Sequence, residues 1–325
     1  MITRRHVAGA LGAAAGIVAS GGARAQGRYP DRPIRVVVPY TPGGTNDIVA
    51  RLYAAKLTEV LGQPVVVENR GGAQGIVGTE AVARAAPDGY TLLMGAPGPL
   101  IFNAVTYSRL PYDPRRDLLP IAKLIGVPLL LTVSGNSPYR SLAALIEGAK
   151  AHPDAMTYGV SAAPFQFAME MFNQQAGTRF TYVAYRSTAE SGNAVANNEV
   201  TATLSEAAPL IAGLEGGRLR ALAITSPARL PSLPDVPTMT ELGFPAITVE
   251  MWCALFAPRG TPQPVLDRLT EAALQVTAAP DLQARFPALS IRAAPAGPDA
   301  VREEIDRDIG RWAEVARTAN IQLER

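Results

Sequence analysis

Apolar residues along this chain fall into short runs divided by polar stretches rich in Gly and Pro. Ile34 to Val38 is a β-branched run, the pattern of a buried strand. A Pro/Gly turn follows, and Thr45, Asn46 and Asp47 offer N-caps for a helix. That helix would carry Ile48, Leu52, Ala55, Val60 and Leu61 on its apolar face. The unit then repeats. Val65 to Glu68 predicts a strand, Asn69 to Gly75 a turn, and Ile76, Val77, Ala81, Val82 and Ala85 a helix. Ala86-Pro87-Asp88-Gly89 stops that helix before a third strand, Tyr90 to Met94. Strands alternating with helices predict a parallel sheet and an α/β fold class. Ligands of such sheets sit beyond the carboxyl ends of the strands. Here that edge is Tyr40–Asp47, Asn69–Gly75 and Gly95–Asn103.

Pro111 to Asp117 reads as a polar surface connection. A second αβ series comes later. It comprises helix Ser141–Ala151, strand Met156–Val160, helix Phe165–Gln175, strand Tyr182–Ala184 and a helix near Thr188–Asn197. Strand Val200–Leu204, helix Glu206–Leu214, strand Leu219–Thr225 and a short helix from Asp235 to Gly243 complete it. Two long apolar runs, Leu119–Val133 and Ile247–Phe256, read as paired crossover strands. Helices Pro262–Thr277 and Asp299–Thr318 would then return to the first domain. The expected architecture is a hinged clamp of two domains, 26–127 with 250–325, and 128–249.

The N-terminus changes the charge picture. Arg4 and Arg5, the weakly apolar stretch Val7 to Ser20 and the small-x-small site Ala23-Arg24-Ala25 read as an export signal over residues 1–25, cleaved before Gln26. The apolar stretch is well short of the ~20 residues a membrane span needs. Thr3-Arg4-Arg5 leaves the twin-arginine and general secretory routes both open. Cleavage removes three arginines and no acid from 30 basic and 28 acidic residues, so the formal charge moves from +2 to about −1. No basic stripe suggests nucleic acid.

The chemistry that remains is sparse. Cys253, the only cysteine, sits in the apolar run Met251–Phe256 and reads as a buried small hydrophobe. His152 is the only histidine after the leader, so a His- or Cys-based metal site is excluded. Gly71-Gly72-Ala73-Gln74-Gly75-Ile76-Val77-Gly78 is off the dinucleotide spacing and lacks the acid after the next strand. Gly159-Val160-Ser161 faintly resembles a nucleophile elbow, but no histidine follows it, so a Ser-His-Asp hydrolase fails. Ser161 is better read as an N-cap. Asp47 either caps its helix or orients the loop toward a ligand. Trp252 and Tyr185 stand beside strand ends, where the clamp arrangement brings both near a cleft.

Several motifs follow one another in a specific order. They are Tyr29-Pro30-Asp31-Arg32-Pro33-Ile34-Arg35, Pro39 to Asp47, Val67-Glu68-Asn69-Arg70-Gly71-Gly72-Ala73 and Ala86-Pro87-Asp88-Gly89-Tyr90-Thr91-Leu92-Leu93. Leu110-Pro111-Tyr112-Asp113, Gly217 to Ala223, Leu233-Pro234-Asp235-Val236-Pro237-Thr238 and Ala257-Pro258-Arg259-Gly260-Thr261-Pro262 follow. In these features the chain resembles the Bug-type extracytoplasmic solute receptors of tripartite tricarboxylate transport systems. The resemblance implies a two-domain periplasmic-binding-protein fold, a type II Venus flytrap with two crossover strands. It implies a cofactor-free periplasmic monomer that captures a small carboxylate and delivers it to membrane permease subunits. Family members hold the carboxylate largely through backbone amides and ordered waters. Carried over, the ligand-binding positions are Tyr40, Thr41, Gly43, Gly44 and Asp47; Ala96, Pro97 and Asn103; Ser161, Ala162 and Phe165; and Tyr185, Arg186 and Ser187, with Trp252 beside them. The chain departs from the family pattern at Ala96-Pro97, Ser161-Ala162-Ala163-Pro164 and Ala184-Tyr185-Arg186-Ser187. Each change removes a donor or backbone freedom, which points to an altered or more apolar ligand such as an aromatic carboxylate. The rival readings are an exported enzyme on the same bilobal fold and a sensory receptor that signals to a membrane kinase.

Overall fold

The computed structural model describes residues 29–153 and 155–321, so the export signal expected over residues 1–25 lies outside the described residues. The first αβ series forms as β1 (Ile34–Val38), α1 (Thr45–Leu61), β2 (Val65–Asn69), α2 (Ile76–Ala83) and β3 (Thr91–Gly95). β1 pairs in parallel with both β2 and β3. A wide helical turn, Gly98–Phe102, leads into α3 (Asn103–Thr106). Next comes β4 (Leu118–Ser134), a strand of 17 residues with almost no exposed side chain.

The second series is α4 (Leu142–Ala151), β5 (Thr157–Val160), α5 (Ala163–Ala176), β6 (Thr181–Ala184), α6 (Thr188–Ala196), β7 (Ala202–Glu206), α7 (Ile211–Glu215) and β8 (Leu219–Ile224). β9 (Glu250–Pro258) carries the chain back, followed by α8 (Gln263–Thr277), α9 (Pro280–Gln283), β10 (Arg292–Ala296) and α10 (Pro298–Thr318). The sheet runs β2-β1-β3-β9-β4-β7-β5-β6, with β8 and β10 also paired to β4.

β4 belongs to both lobes. From Leu118 to Pro128 it lies antiparallel to β9. From Leu129 onward it pairs with β7 and β8. Pro128 has no N–H to give a ladder, and it stands where the partners change. Thr225 secures the switch: its hydroxyl accepts from Leu129 N at 2.9 Å and donates to Val249 O. A nearly continuous apolar sequence, broken at Lys123 and Thr132, suits a strand covered on both faces. Behind the crossover, Phe102, Phe167 of α5 and Trp312 of α10 pack together, with ring centroids 5.2–6.0 Å apart. Aromatic pairs at such separations add to simple burial.

Three expectations change. The expected strand Val200–Leu204 is displaced to Ala202–Glu206, because backbone pairing with β4 holds Ser205 and Glu206 opposite Leu130 and Leu129. Glu206 therefore ends a strand instead of starting a helix, and α7 begins at Ile211. The segment from Asp235 to Gly243 forms turns, not a helix. Finally, β10 and α9 carry no clear apolar period and were not expected.

Candidate binding cleft

A cavity of about 480 Å³ opens where the carboxyl ends of the strands from both lobes meet. Tyr40, Thr41, Gly44, Thr45 and Asn46 come from the loop after β1 and the start of α1. Ala96, Pro97 and Gly98 follow β3. Ser161, Ala162, Pro164 and Phe165 follow β5, Arg186 follows β6, and Glu206 ends β7. Val127, Met251 and Trp252 of the crossover strands form the floor. The volume suits a small-molecule site, and most of the wall is apolar.

The first loop is built to stay open. Gly43 adopts φ 91°, which a side chain disfavours. Gly44 is the N-cap of α1 and has φ −79°, ψ 169°, with no side-chain cap. The N–H groups of Thr45 and Asn46, in the first turn, have no intrahelical acceptor. The capping expected of Thr45, Asn46 or Asp47 is thus corrected. Asp47 sits two residues inside the helix and reaches back to accept from Gly43 N at 2.9 Å. It also accepts from Arg51 Nε at 3.1 Å and Asn69 Nδ2 at 2.9 Å. Burial alone would raise its pKa, but the Arg51, Gly43 and Asn69 hydrogen bonds together hold it below the usual carboxylate range. Asn69 also donates to Tyr40 O at 3.2 Å, so the Asn69–Gly75 edge buttresses the loop from behind.

Several expected site residues serve the frame instead, and among the described residues they do not line the cavity. Gly43 and Asp47 shape the loop as above. Asn103 donates to Gln74 O at 3.1 Å. Ser187 caps α6 by accepting from Glu190 N at 3.1 Å, and the Glu190 carboxylate accepts from Arg186 N at 2.9 Å, one residue before the cap. The Tyr185 ring lies so close over Gly159 that a Cβ there would meet it at 2.5 Å. Ser161, expected as an N-cap, precedes one: Ala162 holds that place, and Ser161 Oγ lies 3.3 Å from Thr188 Oγ1.

Glu206 is the residue that sequence reasoning missed. Its Oε2 accepts from the Thr45 hydroxyl at 3.2 Å, and it makes no ion pair among the described residues. Burial pushes its pKa up, partly offset by Thr45. Tyr40 and Cys253 are pushed up as well, burial first, with Glu206 adding to both. The Cys253 thiol donates to Asn46 Oδ1 at 2.7 Å. An acid just past an expected strand, on the ligand-facing edge, was the available signal. A second cavity of about 290 Å³ includes Lys123, Glu250, Arg292 and Glu304 in its wall. There Lys123 pairs with Glu304 at 2.7 Å and Arg292 with Glu250, so those charges are already matched.

Residues 49–293 match the family described as tripartite tricarboxylate transporter family receptor. The chain belongs to this family. It is 36% identical over 301 residues to protein BugT of Bordetella pertussis, covering 91% of each chain. Solved relatives share the two-lobe fold. Rpa4515 of R. palustris with adipate is 33% identical, with a TM-score of 0.78 over 90% of this chain and 99% of its own. MatC of Rhodopseudomonas palustris with bound malate is 30% identical, with a TM-score of 0.72 over 88% of this chain and 99% of its own. As a solute receptor of this family, the chain binds its target and does not transform it.

Proposed function

We propose that this receptor works in the periplasm, as a monomer, and captures a small carboxylate with an apolar body for the membrane subunits of a tripartite tricarboxylate transporter. The observation that carries the reading is the cavity's polarity. The open first turn of α1 and the exposed Arg186, which forms no ion pair among the described residues, offer charge complementarity to an anion, while Trp252, Met251, Phe165, Pro164 and Val127 supply an apolar body to the wall. Adipate in Rpa4515 and malate in MatC support the ligand class. No helix among the described residues is long and apolar enough to cross a membrane.

Part of this reading is the division into 26–127 with 250–325, and 128–249. The exchange of β4 partners between Pro128 and Leu129 supports it.

Titration calorimetry with mono-, di- and tricarboxylates and with aromatic acids tests the proposal. At least one carboxylate should bind, and Arg186→Ala should weaken it by roughly tenfold, the scale of one charge-assisted hydrogen bond. A folded protein that binds no carboxylate would refute the reading.

A further inference from the structure

Glu206 places a negative charge in a cavity otherwise suited to an anion, and it rests on rigid structure. β7 is paired with β4 along its length, with Glu206 opposite Leu129. Only one carboxylate oxygen is engaged, by Thr45; among the described residues Oε1 has no hydrogen-bond partner. Among the described residues, no cation pairs with it. Arg51 is committed to Asp47 and Lys123 to Glu304. Arg186 lines the same cavity without forming an ion pair to Glu206. The neighbouring Tyr40 and Cys253 are held neutral and offer no counter-charge.

We propose that Glu206 determines specificity by selecting carboxylates that also carry a cationic nitrogen, an ammonium above all. The inference rests on the receptor reading and narrows its ligand class. Two groups of opposite sign in one cavity, Arg186 and Glu206, neither in an ion pair among the described residues, match a ligand with two poles. A carboxylate would take the pole formed by Arg186 and the first turn of α1. An ammonium at the other pole would supply the counter-charge that this half-buried carboxylate lacks. A second carboxylate at that pole would instead bring two like charges together in a confined cavity, which costs affinity.

The rival arrangement has the same geometry and a different proton count. A protonated Glu206 would donate a hydrogen bond to the second carboxylate of a dicarboxylate. Glutamine can donate in the same place, so it would tolerate Glu206→Gln. An ammonium-selecting Glu206 would not.

Matched probes separate the two: ε-aminocaproate against adipate, δ-aminovalerate against glutarate, and phenylalanine against phenylpropionate. Each is titrated at neutral pH into the intact receptor and into Glu206→Gln, whose fold is checked by thermal melting. The amino member of at least one pair should bind tenfold or more tightly than its partner, and Glu206→Gln should erase that preference. Tighter binding of the dicarboxylates, unaffected by Glu206→Gln, overturns the inference and leaves the receptor reading intact. Equal binding within every pair also overturns it. If no probe binds the folded receptor, and the wider carboxylate panel also fails, both readings fall together.

Discussion

Thr45 and Glu206 lie 161 positions apart in sequence and meet across the cleft, where the Thr45 hydroxyl donates to Glu206 Oε2 at 3.2 Å. One belongs to the first turn of α1, the other to the last residue of β7. The contact ties the two lobes together and stabilises the ionised form of a carboxyl group that burial disfavours.

Thr45→Val should therefore raise the Glu206 pKa further. The groups facing Glu206 are Tyr40 and Cys253, both pushed up and neutral through the acid range, with Arg186 in the same cavity. A carboxyl whose pKa is higher folded than unfolded binds its proton more tightly in the folded state. Its contribution to stability then falls as pH rises from the ordinary carboxylate pKa through the folded one. Melting temperatures measured across that window should diverge, with Thr45→Val losing more than the parent as pH rises. Carboxyl carbon-13 NMR should report the raised midpoint directly; a lowered midpoint would show that the hydroxyl does not serve the ionised form.

Much of the frame is legible in the sequence because it depends on local pattern. The runs Leu119–Val133 and Ile247–Phe256 are apolar at nearly every position, which only strands covered on both faces require; they form β4 and β9. The Pro/Gly turn before Ile48 opens the first loop as its composition suggests. What was not legible depends on tertiary contacts. Glu206 sits in a sequence that would suit a helix start, and only pairing with Leu129 keeps it in a strand. Thr238 and Glu241 exchange helix-start hydrogen bonds at 2.7 and 3.0 Å. Gly243 at φ 89° ends the segment before a helix can grow. Asp47 carries no sign in sequence of whether it faces a ligand or a buttress; Arg51 and Asn69 decide that.

Cys253 should resist thiol reagents. It is 1% exposed, burial and then Glu206 push its pKa up, and its proton is given to Asn46 Oδ1. The thiolate is the reactive form, so both access and ionisation are denied. Labelling at neutral pH should be negligible in the native protein and immediate in denaturant. Cys253→Ala should cost about 1 kcal/mol through the lost hydrogen bond, read from denaturant unfolding. Rapid labelling of the native protein would mean that the floor of the cleft opens readily.

Asp47 should matter for stability before affinity. Asp47→Ala removes the acceptor for Gly43 N and the ion-pair partner of Arg51, which keeps only its hydrogen bond to Asn69. A loss of roughly 1–2 kcal/mol is expected in denaturant unfolding at neutral pH. The folded pKa is depressed, so this stabilisation is present above the unfolded value. It is lost as pH falls through the folded one. The gap between parent and variant should therefore close in strong acid. A gap that stays constant with pH would mean the carboxylate charge contributes nothing.

Gly43 and Gly44 adjoin each other, yet their substitutions should fail in different ways. Gly43 holds φ 91°, so Gly43→Val forces a β-branched residue into a region it disfavours, at a cost of about 1–3 kcal/mol. Gly44 has an ordinary extended backbone, and an added Cβ meets no atom within 4 Å. The backbone there does not restrict a side chain, which would fill only the space of the cavity. Gly44→Val should melt within a degree or two of the parent, because nothing in the protein has to move. It should nevertheless lose its ligand, since the isopropyl group projects beside the open N–H groups of Thr45 and Asn46. Calorimetric binding and a circular-dichroism melt on the two variants together make the distinction. If Gly44→Val binds as the parent does, the first turn of α1 is not the anion's seat, and the carboxylate must be held from the Arg186 side alone.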